Sequence, residues 1–305
     1  MDLSFALPTS GSWAIPTNIA AITRAAEERG CRGLWTFQRL IYPTGGDLPP
    51  VYRSVLDPLV TLGFAASVTS RARLGLAVVN GPFFAPAVLA KQLASLDVLS
   101  GGRLDAGLGL EWLPDEYAAA GVPMQRRGRR FDEWLDCVNA LLTQDEVSFT
   151  GEFYLVPLSH VAPRPVQQPR PPLLIGGSSE LAYGRAASRG DGWISSSPAS
   201  LNDISVAVTA VRDAAERAGR SRSSVRCVVR GVTRLRDAPI DDVDRRPLSG
   251  TLEQIGADVE SFAEVGVDEL FFDLNFDSEQ VGNPDADPAA AMDKAYAVLD
   301  SCIPA

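Results

Sequence analysis

Hydrophobic positions recur along this chain with two periods that alternate. Leu3, Phe5 and Leu7 show the two-residue period of a strand. The next segment starts at Pro16 and keeps apolar residues on one helical face until Gly30. This strand-then-helix order continues through the sequence and predicts an α/β fold.

Eight apolar segments have the length and flanking turns of strands, and helical sequence follows each of them. The predicted strands are 3–7, 33–36, 74–79, 104–109, 173–175, 192–195, 225–232 and 269–274. The order of units never changes to a run of one type. We therefore predict a (β/α)8 TIM barrel with insertions and not an open sheet.

One segment interrupts this alternation. Residues 147–156 predict a β-hairpin that turns at 150–151, and a proline-rich connector follows over 163–172. We expect one barrel domain over 1–305 that carries this insertion near 145–172.

Composition limits the class of partner. The 305 residues are 46% hydrophobic and 22% charged, which suffices for a full core, and the formal charge of −10 disfavours nucleic acid and anionic membranes. No apolar run approaches about 18 residues, and the N-terminus has no basic leader, so we expect a cytoplasmic protein. The spacing of the four cysteines indicates neither a disulfide framework nor a metal site. The single histidine, His160, falls in the hairpin connector and is interpreted as a surface residue.

In a barrel of parallel strands, the loops at the carboxyl ends of the strands hold the chemistry. Gly176 and Gly177 follow one strand and precede a helix, so backbone N–H groups could approach an anion there, with Ser178 as an extra donor. A plain tight turn is the alternative interpretation of this glycine pair. Residues 37–57, after the second strand, form a long loop whose position favours a function.

The segment 96–133 joins a helix that stops on a glycine pair, a buried strand, and a glycine-rich loop holding Trp112 and Asp115. Its residue order resembles the luciferase-like monooxygenase superfamily, in particular the members that use the deazaflavin coenzyme F420. The resemblance extends over nearly the whole chain, including 56–58 and 191–193.

This resemblance implies a homodimeric barrel that binds F420 at the carboxyl ends of its strands. It implies hydride transfer between the deazaflavin C5 and a small organic substrate. An FMN-dependent monooxygenase stays open because both ring systems use the same pocket. A non-catalytic F420- or flavin-binding protein is a further alternative.

The resemblance also assigns residues to the coenzyme. It places a cis peptide bond between Ala77 and Val78 behind the ring, with Asn80 nearby. It puts the coenzyme phosphate at Gly176, Gly177 and Ser178, and it aligns Asp115 with a residue that contacts the coenzyme.

Gln38 and Arg39, the candidate catalytic positions, depart from the family pattern, which commonly has Asp-His there. A guanidinium cannot move a proton as an imidazole does, although Arg39 could hold an anion by a bidentate contact. A solvated arginine is the other interpretation. The rings predicted to wall an apolar substrate pocket are those of Trp35, Phe37, Phe83, Phe84 and Trp112.

Overall fold

Eight parallel strands close into a barrel in the computed structural model, which describes residues 1–303. The strands are β1 (Asp2–Ala6), β2 (Gly33–Thr36), β3 (Arg73–Leu76), β4 (Leu104–Gly109), β5 (Leu173–Gly176), β6 (Gly192–Ile194), β7 (Arg226–Val232) and β8 (Glu269–Asp273). Each strand pairs in parallel with the next, and β8 pairs with β1, so the sheet has no open edge. The predicted (β/α)8 barrel is confirmed.

Nine α-helices occur within the described residues 1–303. They are α1 (Pro16–Glu28), α2 (Pro58–Ala66), α3 (Pro86–Ser100), α4 (Pro114–Ala119), α5 (Arg127–Thr143), α6 (Glu180–Arg189), α7 (Ile204–Arg217), α8 (Leu252–Glu264) and α9 (Pro288–Cys302). Five of them begin on proline, whose fixed φ suits the first helical position. A capping box of Thr251 and Gln254 starts α8. Among these helices, none is long and apolar enough to cross a bilayer.

The structure corrects the prediction of one continuous strand over 74–79. β3 ends at Leu76, and a two-residue strand, Val79–Asn80, resumes beside β4. The peptide bond between Ala77 and Val78 is cis, at the place that the family resemblance indicates.

Glycines at the carboxyl end of the barrel make room for this break. A Cβ atom on Gly107 would stand 1.8 Å from the carbonyl oxygen of Leu76. On Gly109 and Gly176 it would stand 2.6 and 2.9 Å from methyl carbons of Val78. The backbone bulge can therefore enter the barrel mouth only because three surrounding positions lack a side chain.

The amino end of the barrel is closed by buried ion pairs. Asp105 lies 2.6 Å from a guanidinium nitrogen of Arg73 and 3.1 Å from one of Arg226, and Arg226 also pairs with Glu269. Both carboxylates are fully buried. Glu269 also accepts a hydrogen bond from the indole of Trp35 at 2.8 Å. Two cations and two anions thus fill this end with no net charge.

The predicted hairpin is confirmed as an antiparallel pair of strands, Glu146–Thr150 and Leu155–His160. The carboxylate of Glu133 on α5 accepts the backbone N–H groups of 152–154 and so holds the turn. His160 is exposed at the end of the hairpin.

We expect Gly107→Ala to destabilise the protein by about 3 kcal/mol, because the new methyl group would overlap the Leu76 carbonyl. The matched control is Gly256→Ala in α8, where nothing lies within 4 Å of the added atom. That change should raise stability by about 0.5 to 1 kcal/mol. Denaturant unfolding measures both, and equal stability of the two variants would contradict the close approach.

Candidate active site

A cavity of about 390 Å³ opens at the carboxyl ends of the strands. Its walls come from the segments after β2, β3, β4, β5, β6 and β7 and include Gln38, Ala77, Gly109, Gly176, Ser195 and Arg230. This is the end of a (β/α)8 barrel at which binding and catalysis take place.

Side chains from three other segments hold the bulge after β3. The Gln38 Oε1 atom accepts the backbone N–H of Asn80 at 2.8 Å, and the Asn80 amide donates to Glu111 Oε2 at 3.0 Å. On the other side, the guanidinium of Arg230 donates to the carbonyl oxygen of Ala77. The structure thus brings Gln38, Ala77, Val78 and Asn80 together on one cavity wall.

Another part of the cavity wall presents backbone groups that precede a helix. Gly176, Gly177 and Ser178 line it immediately before α6, whose first-turn N–H groups lack helical partners. Gly177 has a φ of +131°, a backbone conformation that favours glycine. Arg127, the first residue of α5, also lines this wall, and within residues 1–303 its guanidinium forms no ion pair.

Arg39 lies between two buried carboxylates. Its Nη1 atom is 3.4 Å from Glu111 Oε1 and 3.3 Å from Glu116 Oε1, and each of the three side chains is at most 5% exposed. The rings of Tyr52 and Trp112 lie 4.3 and 5.4 Å from its guanidinium carbon. Arg39 is therefore not a solvated arginine, and that interpretation is corrected. Its contacts with the carboxylates involve Nη1 alone, so a bidentate contact of Arg39 with an anion stays a prediction.

Burial gives Glu116 an unusual proton affinity. The backbone N–H groups of Leu40 and Ile41 donate to its Oε1 atom at 2.7 and 3.3 Å. Burial and then the negative charge of Glu111 raise the pKa of Glu116 to about 7, although Arg39 opposes the shift. The three side chains carry a net charge of −1 when both carboxylates are ionised and are neutral when Glu116 is protonated.

Aromatic rings cover the mouth of the cavity beside this cluster. Phe37 packs on Phe276 with 5.1 Å between ring centroids, and Tyr52 meets both rings edge-on. Trp112 is 54% exposed. The rings leave a partly apolar opening next to polar groups, which is typical of small-molecule sites.

A buried arginine lies under these rings. The guanidinium carbon of Arg230 is 5.5 Å from the ring of Phe37 and 5.1 Å from that of Phe276, and its Nε atom is 3.5 Å from Asp273. Burial lowers the pKa of Arg230, and the charge of Asp273 partly offsets this. Within residues 1–303, no group of three or more His, Cys, Asp or Glu side chains has the arrangement of a metal site.

Residues 3–241 match the luciferase-like monooxygenase family. The chain belongs to this family. An uncharacterized protein of Mycobacterium tuberculosis is 35% identical over 299 residues, which cover 93% of this chain and 94% of that protein. The FMNH2-dependent dimethylsulfone monooxygenase of Pseudomonas putida is 34% identical over 157 residues, which cover 50% of this chain and 43% of that enzyme.

Two solved structures share the fold of this luciferase-like chain. The monooxygenase RslO1 from Streptomyces bottropensis has a TM-score of 0.79 and 22% identity, with 99% of this chain and 98% of that one covered. The coenzyme F420 dependent tetrahydromethanopterin reductase from Methanopyrus kandleri has a TM-score of 0.76 and 17% identity, with 99% of each chain covered. At these identities the likeness supports the fold alone.

Two of the predicted site residues, Trp35 and Asp115, are corrected. Trp35 is 1% exposed and fills the barrel below the cavity, where it stacks on Phe271 and donates to Glu269. Asp115 is exposed on α4 and does not line the cavity, whereas the next residue, Glu116, points inward. Adjacent helix positions face about 100° apart, so the two acidic residues have different surroundings.

Two further predicted wall residues also lie outside the cavity. Phe83 packs edge-on against Tyr117 at 5.0 Å, and Phe84 packs against the hydrophobic core. Of the predicted rings, Phe37 and Trp112 do line the cavity.

Glu116 and Arg230 are the buried charges at this site that the sequence analysis missed. The sequence does indicate a special role for Arg230, because this charged residue interrupts the apolar strand 227–232. Glu116 carried a weaker one, since acidic residues are common in the first turn of a helix.

We predict that Arg39→Met destabilises the protein by about 3 to 5 kcal/mol at pH 8, because two buried carboxylates lose their shared cation. The loss should be smaller at pH 5, because that pH is below the pKa of about 7 of Glu116 and a proton then neutralises its carboxylate. Arg126→Met is the control, since Arg126 forms an exposed pair with Glu152 and should cost less than about 1 kcal/mol at either pH. Unfolding by denaturant at both pH values gives the comparison, and a pH-independent loss for Arg39→Met would contradict it.

Proposed function

We propose that this luciferase-like protein is an F420-dependent oxidoreductase that transfers a hydride between the deazaflavin C5 and a small organic substrate. The observation that carries the proposal is the position of two features in one cavity: the bulge at Ala77 and Val78, and the anion-binding wall at 176–178. A planar ring with an anionic tail needs both. The likeness to the F420-dependent reductase of Methanopyrus kandleri supports the choice of coenzyme.

The residues present fit such a coenzyme. Ala77, Val78 and Asn80 would contact its ring, and the open backbone at Gly176, Gly177 and Ser178 would meet its phosphate. Arg127 would add a positive charge to a site on a protein of net charge −10. When bound, the coenzyme supplies the hydride chemistry, while the protein supplies orientation and electrostatics.

Two alternatives have specific support. An FMN-dependent monooxygenase is favoured by the similarity to the Pseudomonas putida enzyme over half of the chain. A binding protein without catalysis is favoured by Gln38 and Arg39, which leave no imidazole on the second-strand loop. A homodimer in the cytoplasm is also part of the proposal and rests on the family resemblance and the acidic composition.

Titration with oxidised F420 and with FMN, followed by absorbance and fluorescence, tests the coenzyme. We expect F420 to bind at least tenfold more tightly. Arg127→Ala should weaken F420 binding by about 10- to 100-fold, because hydrogen bonds to charged groups contribute about 1.5 to 3 kcal/mol.

The control for that titration is Arg129→Ala on the same helix. Arg129 is exposed, pairs with Glu152 at 3.0 Å and does not line the cavity, so its removal should leave F420 binding unchanged. Tighter binding of FMN than of F420 would overturn the coenzyme assignment. Tight F420 binding without turnover of any substrate would favour the non-catalytic alternative.

We also predict that Trp112→Ala raises KM for an apolar or aromatic substrate by about tenfold, since the indole forms part of the cavity mouth. Leu158→Ala on the hairpin removes another exposed apolar side chain, away from the cavity, and serves as the control. Steady-state kinetics of the coenzyme-loaded protein provides the test. Unchanged turnover and KM in Trp112→Ala would refute this wall.

A further inference from the structure

The cluster of Arg39, Glu111 and Glu116 can hold a proton beside the cavity. Arg39 and Glu111 line the cavity, and Glu116 lies behind them with no exposed surface. One guanidinium faces two carboxylates at nearly equal distances, 3.4 and 3.3 Å. Two ionised carboxylates in a desolvated site would leave one negative charge uncompensated, and uptake of one proton removes that charge.

The hydrogen bonds show where this proton belongs. Both oxygens of Glu111 accept, from two backbone N–H groups at 2.9 and 3.0 Å and from the Asn80 amide at 3.0 Å. Glu116 Oε1 accepts from Leu40 at 2.7 Å. Glu116 Oε2 is buried and has no hydrogen-bond partner among residues 1–303. A protonated carboxyl would turn this atom from an unsatisfied acceptor into a donor.

Among the titratable groups at this part of the cavity, Glu111 and Glu116 are the pair that can hold the proton. Arg39, from the loop after β2, is the cation in contact with it. Tyr52 stacks on that guanidinium, and Tyr117 from α4 donates its phenol hydrogen to the Glu111 carbonyl at 3.2 Å. Burial raises the pKa of Tyr117, so it keeps its proton at neutral pH, whereas the pKa of Glu116 is about 7.

We propose that Glu111 exchanges a proton with the substrate oxygen, and that Glu116 is the positioning residue that shares this proton with Glu111. The inference rests on the proposed function and narrows its substrate to a compound with a hydroxyl or carbonyl group at the reacting carbon. In oxidation, the C–H and O–H bonds of the substrate break and a C=O bond forms. Oxidised F420, when bound, would supply the hydride acceptor, and Glu111 would accept the proton, so atoms and charges balance.

Anchoring of the loop after β2 is the purely structural role of Glu116, and one substitution separates it from proton sharing. Glutamine at position 116 retains an oxygen that can accept the N–H groups of Leu40 and Ile41. It cannot titrate. Glu133→Gln is the matched control, because Glu133 also accepts backbone N–H groups but lies outside the cavity.

The first experiment needs no coenzyme. An infrared pH titration of the ligand-free protein should show a buried carboxyl group that loses its proton near pH 7. The signal should disappear in Glu116→Gln and persist in Glu133→Gln. In Glu111→Gln it should move to lower pH by at least about one unit, because the neighbouring negative charge is gone. A near-neutral signal that survives Glu116→Gln, or that Glu111→Gln does not move, overturns the proposal.

The second experiment uses the F420-loaded protein. Glu111→Gln should lower kcat by about 100-fold, as loss of a general acid or base does. Glu116→Gln should shift the acidic limb of the kcat–pH profile to lower pH by at least about one unit, because the positive charge of Arg39 is then no longer shared between two carboxylates. KM should change less than twofold. A uniform loss of kcat with no shift identifies a structural role and overturns the inference. Absence of F420 turnover in the unmodified protein would contradict the proposed function instead. The infrared titration alone would then test whether Glu111 and Glu116 share a proton.

Discussion

The contact between β3 and β4 at the barrel mouth is the constraint on which the site depends. The Leu76 carbonyl occupies the space where Gly107 would carry a side chain, and the bulge at Ala77 and Val78 follows immediately. The bulge turns the Ala77 carbonyl toward Arg230 and leaves the Asn80 N–H to Gln38. Backbone packing between two strands therefore decides where side chains from several loops can meet.

The exchange of the family's Asp-His for Gln38 and Arg39 reorganises the polar groups at this mouth. A guanidinium keeps its charge throughout the physiological pH range, so it attracts carboxylates and gives up no proton. Glu111 and Glu116 are held against it from the segment after β4. Under the proposed shared proton, the acid-base group of the site is Glu111, which follows a different strand from the loop that holds Gln38 and Arg39.

Local sequence patterns predicted the helices and strands well, because the residues that mark the ends of a helix or strand are adjacent to it in the sequence. The strands at 33–36 and 104–109 have the predicted bounds, since glycines mark their ends. The two-residue period also predicts that Trp35 faces the barrel interior, but it does not predict how deep in the barrel the ring lies. The break in β3 and the choice of Glu116 over Asp115 depend on contacts between distant segments. The family resemblance supplied the first, and neither pattern nor resemblance supplied the second.

The ion pairs of Arg73, Asp105, Arg226 and Glu269 lie at the first or second positions of their strands, at the end of the barrel away from the cavity. Because the charges of this ion-pair cluster balance one another, substitutions in the loops at the carboxyl end of the barrel leave its electrostatics intact. The barrel can then stay closed when residues that face the substrate are replaced. Such a separation gives a physical reason why chains only 17 to 22% identical to this one can share its architecture.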